Sequence, residues 1–431
     1  MKHLYSFLLS ALVCLSLSAQ NKVSGDSLAA DFHYLVKQLE AAHPDPYTGF
    51  GGKVFFHKQA FDLENELRSQ PHTLQEFWDK SMAFLSFIQD GHTYLFSLAP
   101  KQQQEQSYLP VGFRCIPDGL IVQSLPAAHQ DLLGSLLIGI NGKSMDELLA
   151  RTASLFACEN LYNRYSVFCR NVVRRQFMQQ LLPDLEDTVC FYLRTPDGKD
   201  VTLEQHFMEN EELRKAEKVN LPSWVGCPEE QMAYRFIDKK KEVMMFKVNS
   251  IMARDNFEYM YKHIKGDLLR QMEFYYQNAL KKEMPADTLQ AICALPSFSG
   301  TFAAMLKEMK KHHSEYLIID LRGNSGGWTP IVLASLYQLY GDKYLQKDMD
   351  TEYYRIVSPL YMNKLEITLE EFNRSYGTDY SFGDYTFSMK EQEDIPLDTL
   401  RRQFIDGCMS SVKEELRAQK GAPVYLSLIH I

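Results

Sequence analysis

Residues 301–340 constrain the fold of this chain more than any other stretch. Thr301 to His312 reads as a helix that feeds directly into Tyr316-Leu317-Ile318-Ile319-Asp320-Leu321, a short buried strand. The turn Arg322-Gly323-Asn324-Ser325-Gly326-Gly327 follows, and then a helix over Pro330 to Tyr340. Helix, apolar strand, glycine turn and helix, in that order, predict an α/β layer. The same region opens near Glu242 with a strand at Val243 to Val248 and a charged helical stretch from Asn256 to Lys282. Asn373 to Asp384, rich in Tyr, Ser and Gly, reads as a loop or small subdomain near the cleft.

Upstream the texture is helical to about Pro100. Leu28, Phe32, Leu35, Leu39 and Ala42 recur at helical spacing, with Asp26 or Ser27 placed to cap the start. His43-Pro44-Asp45-Pro46 ends that helix, because proline cannot continue it. A later helix opens on the capping-box pattern Thr73-Leu74-Gln75-Glu76 and is expected to end at Asp90-Gly91-His92-Thr93, where Gly91 suits a helix C-terminus. His92 then sits on a turn beyond a rigid helix. From Tyr108 short strands take over, and Asn141-Gly142 reads as a hairpin-type turn before a helix at Met145 to Leu155. Gly142-Lys143-Ser144 is no phosphate loop, since Leu137 occupies the position its first glycine needs.

A chain of 431 residues is long enough for two or three domains. Its net charge of -9 excludes a nucleic-acid partner, because phosphate binding needs a positive surface. The N-terminus has the layout of a secretory signal peptide: Met1-Lys2-His3, an apolar run from Leu4 to Leu17, then small residues up to Ala19. Cleavage after Ala19 is expected, with lipidation at Cys14 as the other possibility. No transmembrane segment is expected in the mature chain, which is read as exported: periplasmic, outer-membrane-associated or secreted. Seven cysteines follow Cys14, an odd number without a CxxC pair, so neither a zinc site nor a full disulfide framework is implied. The twelve histidines include no HExxH, and there is no dinucleotide fingerprint, so no metal and no cofactor are expected.

Two features carry possible chemistry. A glycine pair after a buried strand and at a helix N-terminus exposes backbone N–H groups with no Cβ in the way, so Gly326 and Gly327 can bind a developing oxyanion. The same glycines could equally serve only to make a tight turn. His92 is the candidate general base, since an imidazole can accept and return a serine proton near neutral pH. An isolated histidine is more often structural.

Ile318 to Gly327 resembles the strand-turn motif of the C-terminal-processing (tail-specific), tricorn and interphotoreceptor-retinoid-binding superfamily of serine peptidases. The order of segments resembles it too: helices with a His-Pro turn, Asp90-Gly91-His92-Thr93, then a stretch from Leu132 to Leu155 similar to the latter half of a PDZ module, then the core. The resemblance implies an α+β multidomain protein. Its parts are a signal peptide (1–19), a helical N-terminal domain (20–100), a PDZ-like module and linker (101–235) and an α/β peptidase core of the ClpP/crotonase-like type (236–431). It implies peptide-bond hydrolysis through an acyl-enzyme, with peptides or unfolded chains as substrates. It also implies oxyanion binding by Gly326 and Gly327, and His92 as base as in the tricorn branch rather than the serine–lysine pair of the other. Ser325 lies in the glycine turn, but the family's nucleophile sits on a later strand-to-helix turn, expected after Ala422-Pro423-Val424-Tyr425. Ser427 and His430 precede any such turn, so the 431-residue chain is expected to lack its nucleophile and to be catalytically silent. Non-catalytic binding of peptides or lipophilic molecules is the alternative that the same superfamily offers.

Overall fold

The computed structural model describes residues 22–96, 107–221, 231–263, 267–324, 326–347, 354–387 and 395–423. The chain divides into two compact units, residues 1–222 with 352–388 and residues 223–351 with 389–431.

The first unit begins with three helices, α1 (Gly25–Ala42), α2 (Lys53–Arg68) and α3 (Leu74–Ser86). Their apolar stripes meet in a core of Leu28, Phe32, Phe56, Phe84 and Leu85. Phe32 and Phe84 pack edge to face at 5.1 Å. Helix α1 starts earlier than Asp26 or Ser27 would have it, with Ser24 at the N-cap. The reason is packing: a Cβ on Gly25 would lie 2.3 Å from the Leu67 carbonyl, so the helix start is pressed against the end of α2. The capping box of α3 forms, with Glu76 N donating to Thr73 Oγ1 at 3.1 Å and Thr73 N donating to Glu76 Oε2 at 2.8 Å.

A sheet and three helices follow in the same unit. Strands β1 (Gly112–Ile116), β2 (Gly119–Pro126), β3 (Leu136–Ile140), β4 (Thr188–Arg194) and β5 (Asp200–His206) pair antiparallel in that order. Strand β6 (Lys218–Asn220) adds to β2. Helices α4 (Met145–Leu155), α5 (Leu161–Asn171) and α6 (Arg175–Leu181) lie between β3 and β4 in sequence. Along β4, Val189, Phe191 and Leu193 face the core while the intervening side chains face outward, the period-2 alternation of a half-buried strand. Asn141 and Gly142 both have positive φ, 45° and 74°, as a type I′ turn requires.

The second unit is built on a three-stranded sheet in the order β7 (Met232–Phe236), β8 (Val243–Val248), β9 (Tyr316–Asp320). Strand β7 runs antiparallel to β8, and β8 runs parallel to β9 with Lys247 opposite Asp320. The long crossover from β8 to β9 carries α7 (Arg254–His263), α8 (Leu268–Tyr275) and α9 (Phe298–His312). Phe246, Phe302, Met305, Leu306 and Leu317 form the core between sheet and helix. Residues 288–312 are long and apolar enough by composition to cross a membrane. They form two helices here, Thr288–Cys293 and α9, and Phe302, Met305, Leu306 and Met309 are buried. After the glycine turn a short 3₁₀ turn at Thr329–Val332 leads into α10 (Leu333–Tyr340).

Residues 354–387 then return to the first unit. They comprise β10 (Tyr354–Ile356), α11 (Pro359–Leu365), α12 (Leu369–Tyr376) and β11 (Tyr385–Phe387), with Val357, Met362 and Phe372 as a small core. The Tyr385 hydroxyl donates to the Pro44 carbonyl at 2.6 Å, tying this excursion to the turn after α1. By sequence these residues fall within the 236–431 core, with Asn373 to Asp384 expected as a loop or small subdomain. Helices α13 (Leu397–Gly407) and α14 (Lys413–Ala418) belong to the second unit, where Ile405 and Leu416 pack with Ala334 and Tyr337.

Candidate active site

His92 belongs to the first unit. Helix α3 ends at Ser86, and the left-handed residue after it is Gln89 (φ 58°), not Gly91. The expectation that the helix runs to Asp90-Gly91 is therefore corrected. Gly91 answers a different need, since a Cβ there would lie 2.9 Å from Glu159 Oε1, which accepts the Gly91 N–H at 3.0 Å. Asp90 folds the turn around itself: Oδ1 accepts the His92 N–H at 3.0 Å and Oδ2 accepts Thr93 Oγ1 at 2.6 Å. His43, from the His-Pro turn, brings Nε2 to 3.5 Å from Asp90 Oδ2. Burial disfavours the charged form of Asp90, yet the hydrogen bonds from Thr93, the His92 N–H and His43 prevail and hold its carboxyl below the usual range.

The His92 side chain is 95% exposed, with Nδ1 3.9 Å from Asp90 Oδ1 and 3.8 Å from Glu159 Oε1. One nitrogen thus faces two carboxylates while the ring stays open to solvent. Glu159 comes from the loop before α5, far along the chain, and has no local signature that would link it to His92. The sequence also led to the expectation of no metal-ligand set, whereas Asp90, His92 and Glu159 bring one donor atom each within 4.8 Å of one another.

The glycine turn belongs to the second unit. Asn324 organises it, with Nδ2 donating to the Val248 carbonyl at 3.0 Å and Oδ1 accepting the Gly326 N–H at 2.6 Å. Ile251 braces the turn from the end of β8. Its N–H donates to the Gly326 carbonyl at 2.9 Å, and its carbonyl accepts the Trp328 N–H at 2.9 Å. Gly327 (φ 142°) has to be glycine, because a Cβ would lie 2.3 Å from the Ile251 carbonyl oxygen. Of the two donors read from the sequence, the Gly326 N–H is occupied by Asn324. The Gly327 N–H meets no acceptor among the described residues. Gly326 and Gly327 border a cavity of about 1120 Å³ that Met252, Met260, Phe274, Tyr275 and Trp328 also line. Tyr275 directs its hydroxyl to the Met252 carbonyl at 2.9 Å, so its ring lies against this apolar wall. Ser325, Ser427 and His430 lie outside the described residues.

Behind the turn, Lys247 is 1% exposed and Asp320 5%. Asp320 accepts from Arg322 Nε and Nη2 at 2.9 and 2.7 Å and from Arg322 N at 3.0 Å, and Lys247 Nζ stands 3.4 Å away. Lys247 Nζ also donates to the Arg322 carbonyl. The bidentate Arg322 contact, reinforced by Lys247, holds the Asp320 carboxyl far below the usual carboxylate range against the opposing effect of burial. This cluster fixes the first residues of the turn; Lys247 and Asp320 are buried, while Arg322 is exposed and borders a second cavity with Asp320 and Leu321. Among the described residues six cysteines are free, and Cys227 lies outside them.

Residues 290–395 match peptidase family S41, a segment that holds β9, the glycine turn and α10. No curated protein matches the chain. Mature CPAF is similar in structure at a TM-score of 0.48, with 13% identity over 83% of this chain and 68% of its own. CPAF complexed with lactacystin gives 0.48 and 13% over 91% and 72%. The photosystem II D1 C-terminal processing protease gives 0.30 and 11% over 74% and 65%. With TM-scores below 0.5, the family match is what bears on the reading. It supports the relationship to tail-specific serine peptidases and covers the glycine turn, while His92 lies outside it.

Proposed function

We propose, from the premise that this chain is a serine peptidase relative of family S41, that it hydrolyses peptide bonds of peptides or unfolded chains in the cell envelope. One observation carries the reading: within the matched segment, the Gly327 N–H, which meets no acceptor among the described residues, stands at a strand-to-helix turn beside a large cavity of mixed lining, apolar at Met252 and Trp328 and polar at Gln231 and Arg270. A scissile carbonyl over that turn gains negative charge as a serine adds to it, and a fixed amide stabilises the oxyanion without reorganising. Gly326 joins as second donor once Asn324 yields its amide. His92, in the first unit, is carried as the general base by the resemblance alone. Export rests on the leader-like residues 1–19, which lie outside the described residues. The PDZ-type assignment of the antiparallel sheet segment is part of the same proposal.

A fluorophosphonate probe tests the reading and identifies the serine. Full-length protein should be labelled at one serine, and His92→Ala should slow that labelling. A folded protein that never labels would fail the reading. N-terminal sequencing of exported protein should begin at Gln20. A diacylated Cys14 at the mature terminus would replace signal-peptide release with lipid anchoring.

The same cavity, with Met252, Phe274 and Trp328 in its wall, also favours a second reading, non-catalytic binding of a peptide or lipophilic molecule. An environment-sensitive apolar dye displaced by peptide from a protein that fluorophosphonate does not label would favour the binder.

A further inference from the structure

We infer that Asp90, His92 and Glu159 form a binding site for a divalent first-row cation, with zinc the best fit. The three donors are Asp90 Oδ1, His92 Nδ1 and Glu159 Oε1, all within 4.8 Å of one another. The gaps from Nδ1, 3.9 and 3.8 Å, are too long for hydrogen bonds. They fit two ligands on one ion: bonds of about 2.0–2.2 Å put donors about 3.4 Å apart at the tetrahedral angle and up to about 4.2 Å when the angle opens. The donors lie up to 4.8 Å apart, so closing the site takes side-chain shifts of roughly half an ångström or more.

The ligands are already held from outside. Asp90 Oδ2 accepts Thr93 Oγ1 at 2.6 Å and stands 3.5 Å from His43 Nε2. The Asp45 N–H donates to His43 Nδ1 at 3.1 Å, which fixes the His43 proton on Nε2, toward Asp90. The Gly91 N–H holds Glu159 Oε1 at 3.0 Å. Outer groups that orient ligating carboxylates in this way are a usual part of metal sites. An imidazole with two carboxylates suits zinc and its neighbours, whereas magnesium and calcium favour all-oxygen sets.

Binding places the Nδ1 lone pair on the metal, so any proton at Nδ1 is released and the remaining ring proton sits on Nε2. This has a consequence that rests on the proposed peptidase activity. The nitrogen that must accept the serine proton is then already protonated, so the cation acts as a reversible inhibitor.

Calorimetric titration of the untagged 431-residue chain with zinc chloride tests the site without needing activity. One zinc ion per chain is expected at a site that magnesium and calcium chloride do not fill. His92→Ala and Glu159→Gln should each weaken it by at least about 10-fold, and His43→Gln by about 10-fold through the outer layer. His313→Ala should leave it unchanged. Circular dichroism checks each fold; if Glu159→Gln does not fold, the exposed His92→Ala decides alone. Zinc affinity unmoved by His92→Ala, or equal calcium binding, overturns the site. A separate arm follows peptide turnover. Zinc bound at His92 without inhibition keeps the site and removes His92 as base, while absent zinc binding removes the site and leaves the base untouched.

Discussion

Asn324 holds the amide of Gly326: its Oδ1 takes that N–H at 2.6 Å while its Nδ2 reaches back to the Val248 carbonyl at 3.0 Å. One side chain therefore sets the glycine turn against the end of β8 and keeps one of two neighbouring backbone donors occupied. Asn324→Ala removes both bonds and should cost about 1–2 kcal/mol in chemical denaturation. Asn324→Asp keeps the acceptor but adds negative charge beside the developing oxyanion. In full-length protein its kcat should fall further than that of Asn324→Ala. Equal kcat values for the two variants would show that the turn does not bind an oxyanion.

His92→Ala in full-length protein should lower kcat/KM by about 10²–10⁴-fold, the usual worth of acid–base catalysis. The melting temperature should stay within error, because the side chain is almost fully exposed. Unchanged turnover, with a lysine proving essential, would move the protein to the serine–lysine branch.

Asp255 is expected to be the costliest polar position in the second unit. Its buried carboxylate accepts from Phe298 N at 2.6 Å, Ser299 Oγ at 2.5 Å, Ser297 Oγ at 3.2 Å and Ser411 N at 3.2 Å. It thus joins α7, the start of α9 and the segment before α14. Asp255→Ala should leave the Phe298 N–H unpaired and take an acceptor from the serine cluster, at a cost of about 3 kcal/mol, read as a lower denaturant midpoint. A loss under about 1 kcal/mol would mean that water replaces the carboxylate without penalty.

Asp320 makes stability depend on acid. Its folded carboxyl ionises well below the ordinary value, with Arg322 the first cause. The sign follows from linkage: the stabilisation is fully present above the unfolded pKa of about 3.9 and is lost as pH falls toward the depressed folded value. Asp320→Asn, which strands the buried Lys247, should cost about 3 kcal/mol at pH 6 and clearly less at pH 2.5. A cost independent of pH between those points would show that the carboxylate charge contributes nothing.

Local chemistry was legible in the sequence wherever neighbours in the chain decide it. Thr73 and Glu76 form their capping box, Asn141-Gly142 turns with both φ values positive, and the strand, glycine turn and helix around Asp320 to Gly327 lie in the predicted order. Contacts between distant residues were not legible. Gly91 reads as a helix terminator, but the structure sets it against the Glu159 carboxylate instead; Gly25 is dictated by the Leu67 carbonyl, and Gly327 by that of Ile251. The Gly326 amide looked free because nothing in a sequence reports that Asn324 turns back on it. Residues 354–387 read as part of the core they interrupt, since neither strand pairing nor the Tyr385–Pro44 bond has a local signature.

That interruption has a consequence for biogenesis. Tyr385 meets Pro44 across 341 positions of sequence, and β10, β11 and the helices between them complete a unit whose other members precede residue 222. A ribosome delivers the N-terminal helices long before their last partner, so the first unit cannot finish folding until most of the second has been made. Closures over such separations are slow and leave intermediates exposed, which puts a premium on chaperone protection during synthesis. The same threading means that one proteolytic cut between the units leaves them covalently joined, and neither can be expressed alone by truncation at a single boundary.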